Sequence, residues 1–216
     1  MRWILAATLL YLLSSCINYP TPCFQAPEVV KVGDTIHFTN CSVDGYSYYW
    51  WFDDGTDSEE AEPSKVYTER GKYKVYLTAY TKNGHYQRKS NKIIEVGHLH
   101  LDEIRINDFP ADDGGIPWDS DGTGPDLRIT YGPAGQAPQY TTIEVPNINT
   151  DSLPLVFLPI SDIRLTEGEW QFNLLDIDGT AERPMRSFII NPNQREPGQI
   201  RITDGDWNFQ LTTSVR

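Results

Sequence analysis

The sequence predicts an all-β chain built as two antiparallel β-sandwich domains in tandem. Three observations lead there. Apolar and polar residues alternate with period two over many short runs. The 16 Gly and 15 Pro of this 216-residue chain fall largely between those runs. The charge composition changes near residue 97, as it would where one domain gives way to another.

The expected strands run in order. In residues 24–97, Asp34–Asn40 sets Ile36 and Phe38 on one face and Thr35, His37 and Thr39 on the other. Tyr46–Phe52 aligns Tyr46, Tyr48, Trp50 and Phe52. Gly71–Thr81 aligns Tyr73, Val75, Leu77 and Ala79, and Ile93, Ile94 and Val96 close the unit. Each pattern is that of an antiparallel strand buried on one side. In residues 98–216 the expected strands are Leu99–Ile106, Asp126–Tyr131, Thr141–Val145, Leu155–Leu158, Trp170–Asp176, Ser187–Ile190, Gln199–Ile202 and Trp207–Thr213. Eight short strands without a helical period predict a second sandwich.

Charge excludes several functions. The formal net charge is -12 and the sequence pI is near 4.7. Nucleic-acid binding needs cationic groups against phosphate, and docking on anionic lipid needs the same. Residues 24–97 hold 11 acids and 9 bases, whereas residues 98–216 hold 19 acids and 8 bases, all of them Arg. Cys ends at Cys41, Lys at Lys92 and His at His100. The chain beyond His100 therefore cannot supply a Ser-His-Asp triad, a cysteine nucleophile or a Cys/His zinc site by itself.

Met1-Arg2 is a short basic start, and Trp3 to Leu13 is apolar apart from Thr8. That run is too short to span a bilayer, which takes about 20 residues. It has the length of a signal-peptide core. The run ends in Leu13-Ser14-Ser15-Cys16, which resembles the bacterial lipobox. The resemblance implies a signal peptide over residues 1–15, lipidation of Cys16 and a short tether over 16–23. Ile17 is not the Asp that retains such proteins in the inner membrane, which favours the outer membrane. The alternative is an ordinary secretory leader that ends near a cysteine. Cys23 and Cys41 remain, either as free thiols or as a disulfide, which an exported compartment allows.

Tyr49-Trp50-Trp51-Phe52-Asp53-Asp54-Gly55, Pro63, Tyr67, Gly71-Lys72-Tyr73-Lys74-Val75, Leu77-Thr78 and Asn83-Gly84 together resemble the PKD domain. The resemblance covers about 70 residues, assigns 24–97 to an Ig-like sandwich, and implies contact with proteins or glycans rather than catalysis. Asp53 stands where the family usually has Gly. Strand parity points Tyr49, Trp51, Tyr76 and Tyr80 outward, so they form a candidate ligand or partner patch. The alternative is that the second domain or the tether covers them. Aromatic platforms suit sugar rings and protein partners.

The acids of 98–216 gather in two stretches. Asp119-Ser120-Asp121-Gly122-Thr123-Gly124-Pro125-Asp126 resembles the first loop of a C2 domain, and Asp176-Ile177-Asp178-Gly179 resembles its third. The resemblance implies a C2-like eight-stranded sandwich that holds Ca2+ on end loops. The ligand set would be Asp113, Asp119, Asp121, Asp126, Asp176 and Asp178. Calcium takes six to eight hard oxygens in irregular geometry. The alternative is a solvated acidic rim.

These readings combine into a non-enzymatic lipoprotein anchored in the outer membrane through Cys16. It would serve as a binding or scaffold module in an envelope complex, or for an extracellular glycan or protein, with Ca2+ as the cation and without nucleic acid. The rival readings are a carboxylate-pair glycan hydrolase accessory enzyme and a passive structural spacer.

Overall fold

The computed structural model describes residues 19–119 and 122–216. Cys16 and Asp121 lie outside the described residues. No α-helix occurs among the described residues, which form strands, turns and two short 3-10 turns. The chain divides into two compact units. Among the described residues the first comprises 19–28, Thr35–Lys65 and Tyr73–Ile94, and the second comprises Val29–Asp34, Val66–Lys72, 95–119 and 122–216. The partition is thus not a single cut at residue 97, because two short earlier segments group with the second unit.

The larger sheet of the N-terminal half runs in the order Val29–Lys31, Gln87–Gly97, Gly71–Tyr80, Ser47–Trp51, Asp57–Ser58. Thr35–His37 pairs with Ser64–Val66, and Thr39–Asn40 pairs with Phe24–Gln25. The expected strand at Asp34–Asn40 is therefore two pieces with different partners, broken at Phe38. Aromatic rings fill the space inside the first unit. Trp50 is fully buried, with Phe24 and Phe38 centred 5.1 Å and 5.4 Å from it. Its indole N–H donates to the Glu60 carbonyl at 2.9 Å, which satisfies the one polar atom that burial would otherwise orphan. Tyr46 was expected inside with Trp50. It precedes the Ser47–Trp51 strand and is 65% exposed.

The turn after Phe52 explains Asp53. Its φ is +65°, the left-handed region where Gly is the default. Asp is one of the few other residues that enter this region, because its short side chain bonds nearby backbone. Here the Asp53 carboxylate accepts the backbone N–H of Lys74 at 2.9 Å. Asp54 accepts the N–H and hydroxyl of Thr56 and pairs with Lys65 at 2.5 Å. Cys23 and Cys41 form a disulfide with Cα atoms 4.8 Å apart.

The second unit is a sandwich of two antiparallel sheets. One runs Leu155–Phe157, Leu99–Asp108, Trp207–Val215, Gly198–Asp204, with Ile163–Arg164 also on Leu99–Asp108. The other runs Tyr140–Thr141, Leu127–Pro133, Trp170–Asp178, Ala181–Ile190. Leu101, Ile104, Ile106 and Leu211 from one sheet and Ile129, Tyr131, Phe172 and Leu174 from the other are all buried in one core. Tyr140, Tyr131, Phe172 and Phe188 stack across all four strands of the second sheet at 5.5, 5.4 and 5.1 Å. Such cross-strand pairs fix register as well as adding burial. Pro184 lies within Ala181–Ile190, an edge strand, beside a register shift at Leu174/Leu175. That is where a strand tolerates a missing N–H.

Candidate functional sites

In the first unit, Ser47–Trp51 pairs antiparallel with Gly71–Tyr80, so Trp51 faces Tyr76, Tyr49 faces Thr78 and Ser47 faces Tyr80. The alternation that buries Trp50, Leu77 and Ala79 turns Tyr49, Trp51, Tyr76 and Tyr80 to the other side of the sheet. All four predicted patch residues share that side. Trp51 is 38% exposed, and Tyr49, Tyr76 and Tyr80 are half-buried. From Tyr80 to Tyr76 the row extends about 14 Å, at about 3.4 Å per residue.

The patch has polar flanks that the sequence reading did not single out. Asp57, opposite Trp51, hydrogen-bonds the Tyr49 side chain and holds that phenol above its ordinary pKa. The Lys74 ammonium lies 5.4 Å from the centre of the Tyr76 ring. The neighbouring Gln87–Gly97 strand buries Ile94 and Val96, so parity sends Lys89 and Asn91 to the aromatic side. That flank was hidden because Gln87–Lys92 is too charged to read as a strand.

In the second unit, Asp176 and Asp178 sit two apart at the end of Trp170–Asp178, on one side of that strand. Asp119 approaches from the turn that follows the Asp112–Asp113/Ile116–Pro117 hairpin. One carboxylate oxygen from each of Asp119, Asp176 and Asp178 can lie within 4.8 Å of the others. Asp176 is fully buried. Its Oδ1 accepts the Asp126 N–H at 3.1 Å, while its Oδ2 has no hydrogen-bond partner among the described residues. Asp119 Oδ2 accepts the Thr123 hydroxyl at 3.1 Å. Burial first, then the neighbouring carboxylate of Asp178, raises the pKa of Asp119 above the ordinary value. Burial, then Asp119 and Asp178, does the same for Asp176. Hard anionic oxygens converging on one point are donors suited to a divalent cation.

The other predicted ligands are placed differently. The Asp126 carboxylate accepts the Asn147 N–H at 2.8 Å at the margin of the cluster. Asp113 is instead paired with Arg183 at 2.7 Å, and Arg183 stacks on Trp118 at 4.8 Å. Asp113 is thereby neutralised locally and stands apart from the three gathered acids. His100, from the His98-Leu99-His100 segment, has its Nδ1 2.8 Å from Asp162, a carboxylate that Arg216 also engages.

Sheet architecture and an outward aromatic row define the class: an all-β chain of sandwich-like antiparallel sheets. Comparison with known proteins is consistent with this. Residues 18–96 match the family described as the PKD domain. Collagenase ColA of Bacillus cereus is 45% identical over 47 residues, which cover 22% of this chain and 5% of the collagenase. The PKD1 domain of the Vibrio cholerae metalloprotease PrtV is 31% identical, covering 37% of this chain and 98% of that domain, with a TM-score of 0.33. The PKD1 domain of Vibrio anguillarum Epp is 29% identical, covering 37% and 94%, also with a TM-score of 0.33. No helix among the described residues is long and apolar enough to cross a membrane.

Proposed function

We propose that the chain is a non-catalytic binding module of the bacterial envelope, anchored in the outer membrane through lipid on Cys16. Its PKD domain meets a glycan or protein through Tyr49, Trp51, Tyr76 and Tyr80. The observation that carries this reading is the row of four aromatic side chains on one outward side of a sheet. Their rings have no core to fill there, and a contiguous aromatic patch at the surface marks contact with something else.

The second unit would hold Ca2+ between Asp119, Asp176 and Asp178. The fully buried Asp176 Oδ2, without a partner among the described residues, favours this, because an orphaned anionic oxygen is costly unless something cationic meets it. The cation would stabilise the sandwich and take no part in chemistry.

The test is retention of the purified chain on isolated envelope fractions. Trp51→Ala and Tyr76→Ala should lose retention while melting near the parent temperature. Equal retention of parent and variants would refute the aromatic surface. Metabolic labelling with palmitate, compared with Cys16→Ser, tests the anchor separately: label on the parent alone is expected, and no label on either would remove it.

A further inference from the structure

The two sides of the aromatic row differ in charge, and that difference narrows the ligand. On the Asp57–Ser58 side stand Asp57 and Glu59, both of which act on Tyr49. On the Gln87–Gly97 side stand Lys74 and Lys89, with Asn91 on the same parity. Among the described residues no carboxylate forms an ion pair with Lys74 or Lys89, whereas Lys31, Lys65 and Lys72 each have one. Lys74 sits instead against the Tyr76 ring, which holds its ammonium beside the aromatic surface.

Resting on the reading of this sheet side as the binding surface, we propose that its ligand is an acidic polysaccharide, a chain of sugar rings bearing carboxylates. The rings stack on Trp51, Tyr76, Tyr49 and Tyr80. The row of about 14 Å extends past a single ring, so it favours an extended chain over a lone sugar. The acid groups turn towards Lys74 and Lys89, and the hydroxyls on the opposite edge donate to Asp57. Charge-assisted hydrogen bonds to ammonium groups are the stronger kind and set the orientation. The net charge of -12 does not forbid this. At physiological ionic strength the screening length is about 8 Å, so an anionic chain on this surface feels mainly the charges beside it.

Affinity electrophoresis of the full chain through gels containing polygalacturonate or neutral xylan tests the proposal. The parent should be retarded by polygalacturonate far more than by xylan, and salt should weaken the effect. Lys74→Gln with Lys89→Gln should reduce the affinity about ten-fold, the size expected for two solvent-exposed ion pairs. Trp51→Ala should abolish retardation. Equal retardation by both polymers, insensitive to the Lys substitutions but lost in Trp51→Ala, would overturn the acidic ligand and leave the aromatic surface standing. No retardation by either polymer would also overturn it. Continued loss of envelope retention in Trp51→Ala would then identify the partner as a protein.

Discussion

Asp176→Asn separates the two things its carboxylate does. Without a cation, Asp176 is a fully buried acid whose Oδ2 has no partner among the described residues and whose neighbours include two more carboxylates. Asn keeps an oxygen for the Asp126 N–H and places an NH2 where Oδ2 stood, next to acceptors on Asp119 or Asp178. Relieving one unsatisfied buried polar atom is worth about 1–3 kcal/mol, more where it is charged. For a chain of this size each kcal/mol moves the melting temperature by about 2–4 °C. In chelator, Asp176→Asn should therefore melt several degrees above the parent. In calcium the order should reverse. The parent gains about 2.7 kcal/mol when calcium is at a hundred times its Kd, while the variant gains little. Differential scanning calorimetry with EDTA and with millimolar calcium reads both effects. A variant that melts below the parent in EDTA, or a parent unmoved by calcium, would refute the reasoning.

Other outcomes follow from the same structure. The raised carboxyls of Asp119 and Asp176 bind protons in the folded protein at pH values where the unfolded chain has released them. Stability of the metal-free protein should thus fall as pH rises from just above the ordinary value of 3.8 through the raised native values, and calcium should restore it only above that window. A pH series of melting curves in EDTA that shows no such fall would count against the cluster. Asp53→Ala removes the acceptor for the Lys74 N–H and leaves a Cβ residue at φ +65°; it should lose about 1–3 kcal/mol by urea unfolding, and Asp53→Gly should lose less. Reduction of Cys23–Cys41, which closes a loop of sequence separation 18, should lower stability by about 3 kcal/mol without displacing a bound ligand. Trp50→Ala should cost about 3–5 kcal/mol, where Trp51→Ala leaves the domain folded.

Much of this architecture was legible because burial and period two coincide. Trp50, Phe52, Leu77 and Ile129 alternate with outward-facing neighbours and all prove buried. The outward set of Tyr49, Trp51, Tyr76 and Tyr80 followed from the same parity. Three kinds of feature were not legible. Gln87–Lys92 extends a strand although nearly every residue is polar, because hairpin pairing to Gly71–Tyr80 rather than burial holds it. Two-residue strands such as Asp112–Asp113 are too short to carry a period. Among the acids, spacing along the chain grouped Asp113 with Asp119, but Arg183, 70 residues away, takes Asp113 for itself. A pairing across that separation leaves no local signal. By contrast, Asp176-Ile177-Asp178 was readable, since i and i+2 on a strand share one side.

The central claim is that the outward aromatic row of the PKD domain is where the ligand sits. Its most direct test follows the indole N–H signals of the full chain by NMR while polygalacturonate oligomers are added. Trp51 should shift and saturate in step with binding, while the buried Trp50, Trp118 and Trp170 stay fixed. Shifts confined to other tryptophans, or binding with Trp51 unmoved, would contradict it.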